Sequence, residues 1–207
     1  MQTSTRSASG RLAATCGAIF AIALAVANGN GDGSYAAYRY VVGGIALVLF
    51  LPFLAYLCSV LRDAWQGSPW LPRTALAAGI IGIALKLTSG APEVAIHRAR
   101  VSDGTQLHRA LQAVADATTV ISLYPFALLL AVVAIVILRS AALPRWLGAG
   151  AALTAAALVI NASAPTTDNV PALLLFVLWT LVASITLYRN ASADRLPVVS
   201  TYSTVEA

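Results

Sequence analysis

Six long apolar runs constrain this chain more than any other feature. They cover residues 12–27, 40–61, 75–97, 107–138, 147–161 and 170–187. Runs of about 20 apolar residues match the length that a helix needs to cross a hydrocarbon core about 30 Å thick. Because hydrocarbon offers no water to backbone groups, and the runs lack the alternation of barrel strands, we expect all six to be transmembrane helices.

Composition and length agree with this class of protein. Hydrophobic residues make up 59% of the 207 residues and charged residues 10%, against about 45–50% and about 25% in soluble domains. The six spans leave room only for tails and short connectors. We therefore predict an all-α, polytopic membrane bundle, with one transmembrane domain over residues 1–189. The polar, small-residue-rich segment 190–207 is predicted to be a disordered cytoplasmic tail.

The positions of Lys and Arg predict the orientation of the bundle. Eight arginines fall on one side of the spans and four on the other. The larger group consists of Arg6, Arg11, Arg62, Arg73, Arg139, Arg145, Arg189 and Arg195, and the smaller group of Arg39, Arg98, Arg100 and Arg109. Since cytoplasmic loops carry the excess of positive charge, both termini are predicted to be cytoplasmic. We expect a multi-pass protein of a bacterial plasma membrane.

The first span has a second interpretation. It ends in Ala-Val-Ala at residues 25–27, which resembles a signal-peptidase site, and cleavage there would leave five helices. We favour retention, because a run of this length flanked by Arg11 can just cross the bilayer.

Charge and cysteine usage exclude some function classes. The net charge of +5 is spread as single residues beside the spans, whereas nucleic-acid binding requires a clustered patch. We therefore predict the lipid bilayer, and no nucleic acid, as a partner. Cys16 and Cys58 both fall within predicted helices without a CxxC motif, so inert packing thiols are expected.

Lys86 is the strongest single signal for a site. It lies alone within an apolar helix, about 13 Å below the expected outer boundary near Ala95. Its stem is too short to reach water, so we expect a partner on the following helix. The candidates are Ser122 and the Ile121 carbonyl, which Pro125 leaves without its helical partner, at the level of the lysine, and Asp116 one or two turns higher.

A polar face extends from this lysine. Lys86, Glu93, His97 and Arg100 follow at spacings of seven, four and three, which places them on one face of a continuous helix. Asp116, Thr119 and Ser122 lie on the next helix, and Asp32, Arg39 and Asp168 lie in other connectors of the same side. We predict a charged vestibule that opens outward and closes at Lys86. The candidate binding residues are Lys86, Glu93, His97, Asp116, Arg98, Arg100 and Arg109.

No metal or cofactor site is predicted. Glu93 and His97 could share a metal with His108, but the chain has two histidines and no HExxH motif. Residues 28–33 resemble the start of a calcium loop, yet the twelfth position is Arg39 rather than Glu. No GxSxG or SxxK motif indicates a nucleophile.

Prolines and polar residues predict where helices bend or begin. Pro52, Pro92 and Pro125 should kink or end their helices. Pro72 and Pro144 are expected in first turns, where a missing N–H costs nothing. Asp103 and Gln106 form a candidate capping pair for the fourth span.

Three functional classes remain open. The first is binding or transport of a small polar or anionic solute, with proton coupling through Lys86 and Asp116 as an option. Homo-oligomers are expected in that case, because six helices without an inverted repeat form a small transporter. The second is a membrane enzyme acting on a lipid or isoprenoid by acid–base chemistry. The third is an accessory or regulatory subunit. A structural ion pair between Lys86 and Asp116 is the alternative to any site.

Residues 116–189 also resemble a known family. Leu-Pro-Arg-Trp-Leu-Gly at residues 143–148, followed by an apolar last helix that carries Trp179, resembles the second half of an uncharacterised class of small actinobacterial multi-helix membrane proteins. The resemblance implies a helical membrane fold. It implies no catalytic residues.

Overall fold

The computed structural model describes residues 2–29, 36–140, 142–164 and 170–193, and within these ranges it contains helices and no strand. The helices are α1 (Gln2–Gly29), α2 (Ala36–Ala64), α3 (Trp70–Thr88), α4 (Ala91–Arg98), α5 (Gln106–Ser140), α6 (Arg145–Ser163) and α7 (Val170–Ala193). Six spans in the described part of the chain are long and apolar enough to cross a membrane, with α3 and α4 together forming one of them. The prediction of an all-α, six-span bundle is confirmed.

Most helices extend beyond the predicted spans. The first helix begins at Gln2 rather than residue 12, and the last ends at Ala193 rather than residue 187. An apolar run marks only the part of a helix that hydrocarbon can surround, whereas the backbone hydrogen bonds continue into water. Residues 190–193, predicted as tail, therefore belong to α7, and residues 194–207 lie outside the described ranges.

The third predicted span is divided into two helices. Pro92 has no N–H for the carbonyl of Thr88, and its ring crowds that carbonyl, so α3 ends at Thr88 and α4 begins at Ala91. The prediction that Pro92 ends a helix is confirmed, but the continuous helix on which the polar face depended is interrupted. Pro52 and Pro125, in contrast, lie inside unbroken helices.

The connector between α4 and α5 turns the chain back toward the bundle. Arg100 adopts a left-handed conformation (φ 48°), and the N–H of Val101 donates to the Ile96 carbonyl at 3.1 Å, which closes the end of α4. Thr105 then caps α5, because its hydroxyl accepts the backbone N–H of His108 at 3.2 Å. The predicted cap at Asp103 is wrong by two residues, since α5 starts at Gln106.

Helices that are neighbours in sequence are neighbours in space. The end of α3 contacts the first half of α5 through Lys86 and Thr119. The end of α6 contacts the middle of α5 through Ala162 and Tyr124, as expected for spans that alternate in direction. The spans form a closed ring in the order α1, α2, α3, α5, α6, α7 and back to α1. We call the end where α1 begins and α7 ends the terminal end, and the opposite end the α4 end.

The ring divides into two groups of three helices. In the α1 group (α1, α2 and α7), α1 packs closely along both partners, and in the α5 group (α3, α5 and α6), α5 does the same. Contacts between the groups, along the α2–α3 and α6–α7 seams, are sparser. The α6–α7 seam includes a hydrogen bond of 3.0 Å from Trp179 Nε1 to the Leu147 carbonyl.

The two ends of the bundle differ in packing. Five large side chains near the terminal end are almost completely inaccessible: Leu57, Leu61, Ile137, Leu147 and Leu187. Near the middle, four phenylalanine rings contact one another across both groups, with centroids 4.5 Å apart for Phe20–Phe50 and 5.1 Å for Phe126–Phe176. The terminal half therefore has a filled core.

Candidate functional site

A cavity of about 40 Å³ lies in the α4 half of the ring. Its wall is built by all six membrane-crossing helices, which makes it the place where both helix groups meet. The lining side chains are Phe20, Leu24, Leu47, Lys86, Thr119, Ser122, Leu123, Phe126, Leu158, Leu173 and Phe176.

Polar and apolar side chains occupy different walls of this cavity. Lys86, Thr119 and Ser122 all belong to the α5 group, on the facing helices α3 and α5. The wall contributed by the α1 group consists of Phe and Leu alone. The space is therefore amphipathic, with hydrogen-bond donors on one side and hydrocarbon on the other.

Helical spacing explains how the polar wall arises. Gly82 and Lys86 are one turn apart on α3, and Thr119, Ser122 and Phe126 follow at intervals of three and four on α5. A Cβ on Gly82 would lie 3.0 Å from the ring of Phe126. The absence of a side chain at Gly82 therefore lets the ring lie against α3, one turn below the lysine.

The partner of Lys86 is a hydroxyl group. Its Nζ donates to Thr119 Oγ1 at 3.2 Å. This partner lies on the predicted helix but is none of the three predicted groups. Asp116, one of them, lies nearly one turn away from Thr119 and is exposed. Ser122 donates its own hydroxyl proton to the Thr119 carbonyl at 2.6 Å.

The cavity has more donors than acceptors among the described residues. An ammonium group has three N–H bonds, and Thr119 accepts one of them. Most helical Ser and Thr hydroxyls here donate to a carbonyl three or four residues earlier, as Thr118 does to Val114 at 2.7 Å. Within the described ranges Thr119 makes no such bond. Up to three N–H and O–H protons therefore remain for an acceptor in the cavity.

The other predicted binding residues do not line this cavity. Glu93 is half-buried on α4, whereas His97, Arg98 and Arg100 are exposed around the end of that helix. Arg109 is exposed and donates to the Gly104 carbonyl at 3.0 Å. These residues surround the α4 end without meeting at Lys86. The side chains of Asp32, Arg39 and Asp168 lie outside the described part of the chain.

Sequence reasoning did not identify the apolar wall. Phe20, Phe126 and Phe176 have the spacing of ordinary core residues, and no pattern in the runs marks them as cavity residues. The one feature of the sequence that could have indicated Phe126 is its position, one helical turn from the predicted partner Ser122.

The described residues contain no group of three His, Cys, Asp or Glu side chains that could hold a metal ion. The side chain of His108 pairs only loosely with Asp103, with Nδ1 and Oδ1 3.6 Å apart.

Comparisons with protein-family models, with curated proteins and with solved structures give no match. The resemblance of residues 116–189 to a family of small membrane proteins stays a prediction. The fold and the apolar spans define a multi-pass helical membrane protein with a cavity between two groups of helices.

Proposed function

We propose that this protein binds a small anionic solute in the cavity beside Lys86 and carries it across a bacterial plasma membrane. The observation that carries the proposal is an ammonium group in a largely apolar cavity whose contact partner is a neutral hydroxyl. A charged group at membrane depth is costly unless it is paired. An anion in the cavity would supply the counter-charge and accept the free protons of Lys86 and Thr119.

The division of the ring supports transport. In many transporters one rigid group of helices moves against another around a central site. Here the cavity lies between the α1 and α5 groups, the seams between them are sparse, and the terminal half is filled. Movement of one group against the other would open the filled half and close the α4 half.

The distribution of arginines supports a direction of solute transport. The excess of arginines near the terminal end favours a cytoplasmic position for that end, and the cavity would then receive solute from outside. Arg98, Arg100 and Arg109 are exposed at the α4 end, where they would raise the local concentration of anions. Asp116, close to Lys86, is the group through which proton coupling would act.

A membrane enzyme has less support. The described lining residues include no carboxylate or imidazole, and these are the groups that most often transfer protons in acid–base catalysis.

Lys86 is the only lysine in the chain, which permits a direct test. In protein labelled with ¹³C-lysine and purified in detergent, the side chain of Lys86 gives a single set of NMR signals. Titration with sodium acetate is expected to shift its Cε signal until the site is saturated. Equal ionic strength of a bulky sulfonate buffer serves as the control. A signal that acetate does not move would refute the proposal.

Transport is tested in reconstituted vesicles that contain a pH-sensitive dye. An acetate gradient should change the internal pH faster in vesicles with protein than in empty vesicles, beyond the leak of the neutral acid. Equal rates of pH change in vesicles with and without protein would show that the protein does not transport acetate. This result would refute the transport part of the proposal.

A further inference from the structure

We propose that the anion is a short-chain aliphatic monocarboxylate, whose carboxylate meets Lys86 and Thr119 and whose alkyl group faces the apolar wall. This inference rests on the proposed function and names the class of solute. It follows from the chemistry of the two walls, the charge of the site and the volume of the cavity.

The two walls require a ligand with two chemical ends. The donors of Lys86 and Thr119 lie on the α5 group, opposite the Phe and Leu side chains of the α1 group. A fully hydrated inorganic ion would leave the apolar wall in contact with water or with charge. An alkyl carboxylate satisfies both walls, since its alkyl end buries hydrocarbon surface and its oxygens accept the unused protons.

The charge of the site selects a monoanion. Among the described residues, Lys86 is the single cationic side chain in the cavity lining. Its charge is matched by one carboxylate, whereas a dianion would keep an unpaired charge at membrane depth.

The volume of the cavity limits the alkyl chain. The cavity of about 40 Å³ is several times smaller than an apolar cavity of about 150 Å³ that holds benzene, so short alkyl chains fit better than long ones. The ring of Phe126 lies one turn of α5 from Ser122, against Gly82 on one side and 5.1 Å from the ring of Phe176 on the other. We infer that Phe126 sets the length of chain that fits.

The shift of the Lys86 signal measures this preference in the full-length protein. The probes are sodium formate, acetate, propionate, butyrate, chloride and sulfate. Affinity is expected to rise from formate to acetate by about fourfold, which is the value of one buried methylene group, and to fall again at butyrate. Chloride and sulfate are expected to bind more weakly than acetate.

Phe126→Leu should move the optimum to longer chains. Removing the ring enlarges the cavity, so butyrate should gain at least about fourfold relative to acetate. Phe53→Leu is the matched control, because Phe53 is fully buried but lies outside the cavity lining. It should lower stability without changing the order of the probes. If Phe126→Leu does not fold, Phe176→Leu removes another ring of the same lining and gives the same test.

The outcomes separate this inference from the proposed function. Equal binding of chloride or sulfate and acetate would overturn the solute class, although a saturable shift of Lys86 would still support an anion site. An unchanged order of probes in Phe126→Leu, or the same change in Phe53→Leu, would overturn the role of Phe126. Failure of every anion to shift Lys86 would overturn both proposals.

Discussion

Replacing Lys86 with Met is expected to lower the affinity for acetate about 10- to 100-fold while the bundle still folds. The substitution removes one charge-assisted hydrogen bond to the anion, and such bonds contribute about 1.5–3 kcal/mol. Methionine keeps an unbranched apolar stem that fills the same path between α3 and α5. Because the partner of the lysine is the neutral Thr119, no carboxylate is left buried and unpaired.

Acetate-dependent flux into vesicles measures this effect, and thermal unfolding in detergent followed by circular dichroism measures the stability. Thr119→Val is the matched control, since it removes the hydroxyl but keeps the charge. It should lower affinity about tenfold, because the lost hydroxyl donor contributes about 1.5 kcal/mol to a charged acceptor, and by less than Lys86→Met because the counter-charge of the anion remains. Flux that is the same in Lys86→Met and wild type would show that the ammonium group does not bind the solute.

The same variant separates a site from a structural ion pair. If Lys86 and Asp116 held α3 and α5 together, Lys86→Met would lower the unfolding temperature, and adding Asp116→Asn would partly restore it. Because Asp116 is exposed and makes no contact with the ammonium group, we expect neither the loss nor the rescue.

The sequence was sufficient to predict the helices, because every apolar span in hydrocarbon must satisfy its own backbone hydrogen bonds and therefore forms a helix. Lys86 could also be recognised, since a lone cation is conspicuous in an apolar helix. A kink or end at Pro92 was predicted as well, because proline removes a hydrogen bond wherever it lies in a helix, but the end of α3 at Thr88 was not.

The partner of Lys86 and the apolar wall could not be predicted from sequence. Pairing α3 with α5 depends on the connector between them, and a difference of one turn in that pairing separates Asp116 from Thr119 and Ser122. The break between α3 and α4 at Ser89 and the caps at Arg100 and Thr105 determine which residues of α5 lie beside Lys86. These features form only in the folded chain. The cavity depends on how the rings of Phe20, Phe126 and Phe176 meet, which spacing along single helices does not encode.

Gly17→Ala is expected to destabilise the α1 group by about 1–3 kcal/mol, the usual cost of an extra methyl group in a filled core. A Cβ on Gly17 would lie 2.7 Å from Cγ of Phe53 and even closer to Ser184 Oγ. Neither neighbour can retreat easily, because both side chains are almost completely buried and the Phe53 ring also packs on Phe50 at 5.5 Å. The methyl group would therefore separate α1 from both α2 and α7.

Gly44→Ala on α2 is the matched control, because a Cβ there has no atom within 4 Å. The same chemical change should be neutral or stabilise the helix by up to about 1 kcal/mol, since Ala is the better helix former. Reversible unfolding in mixed micelles of increasing denaturing detergent measures both variants. Equal stability of the two would mean that α1 does not pack against α2 and α7 at Gly17. The apolar wall that we assign to the alkyl chain of the solute, which depends on Phe20 one turn further along α1, would then lose its support.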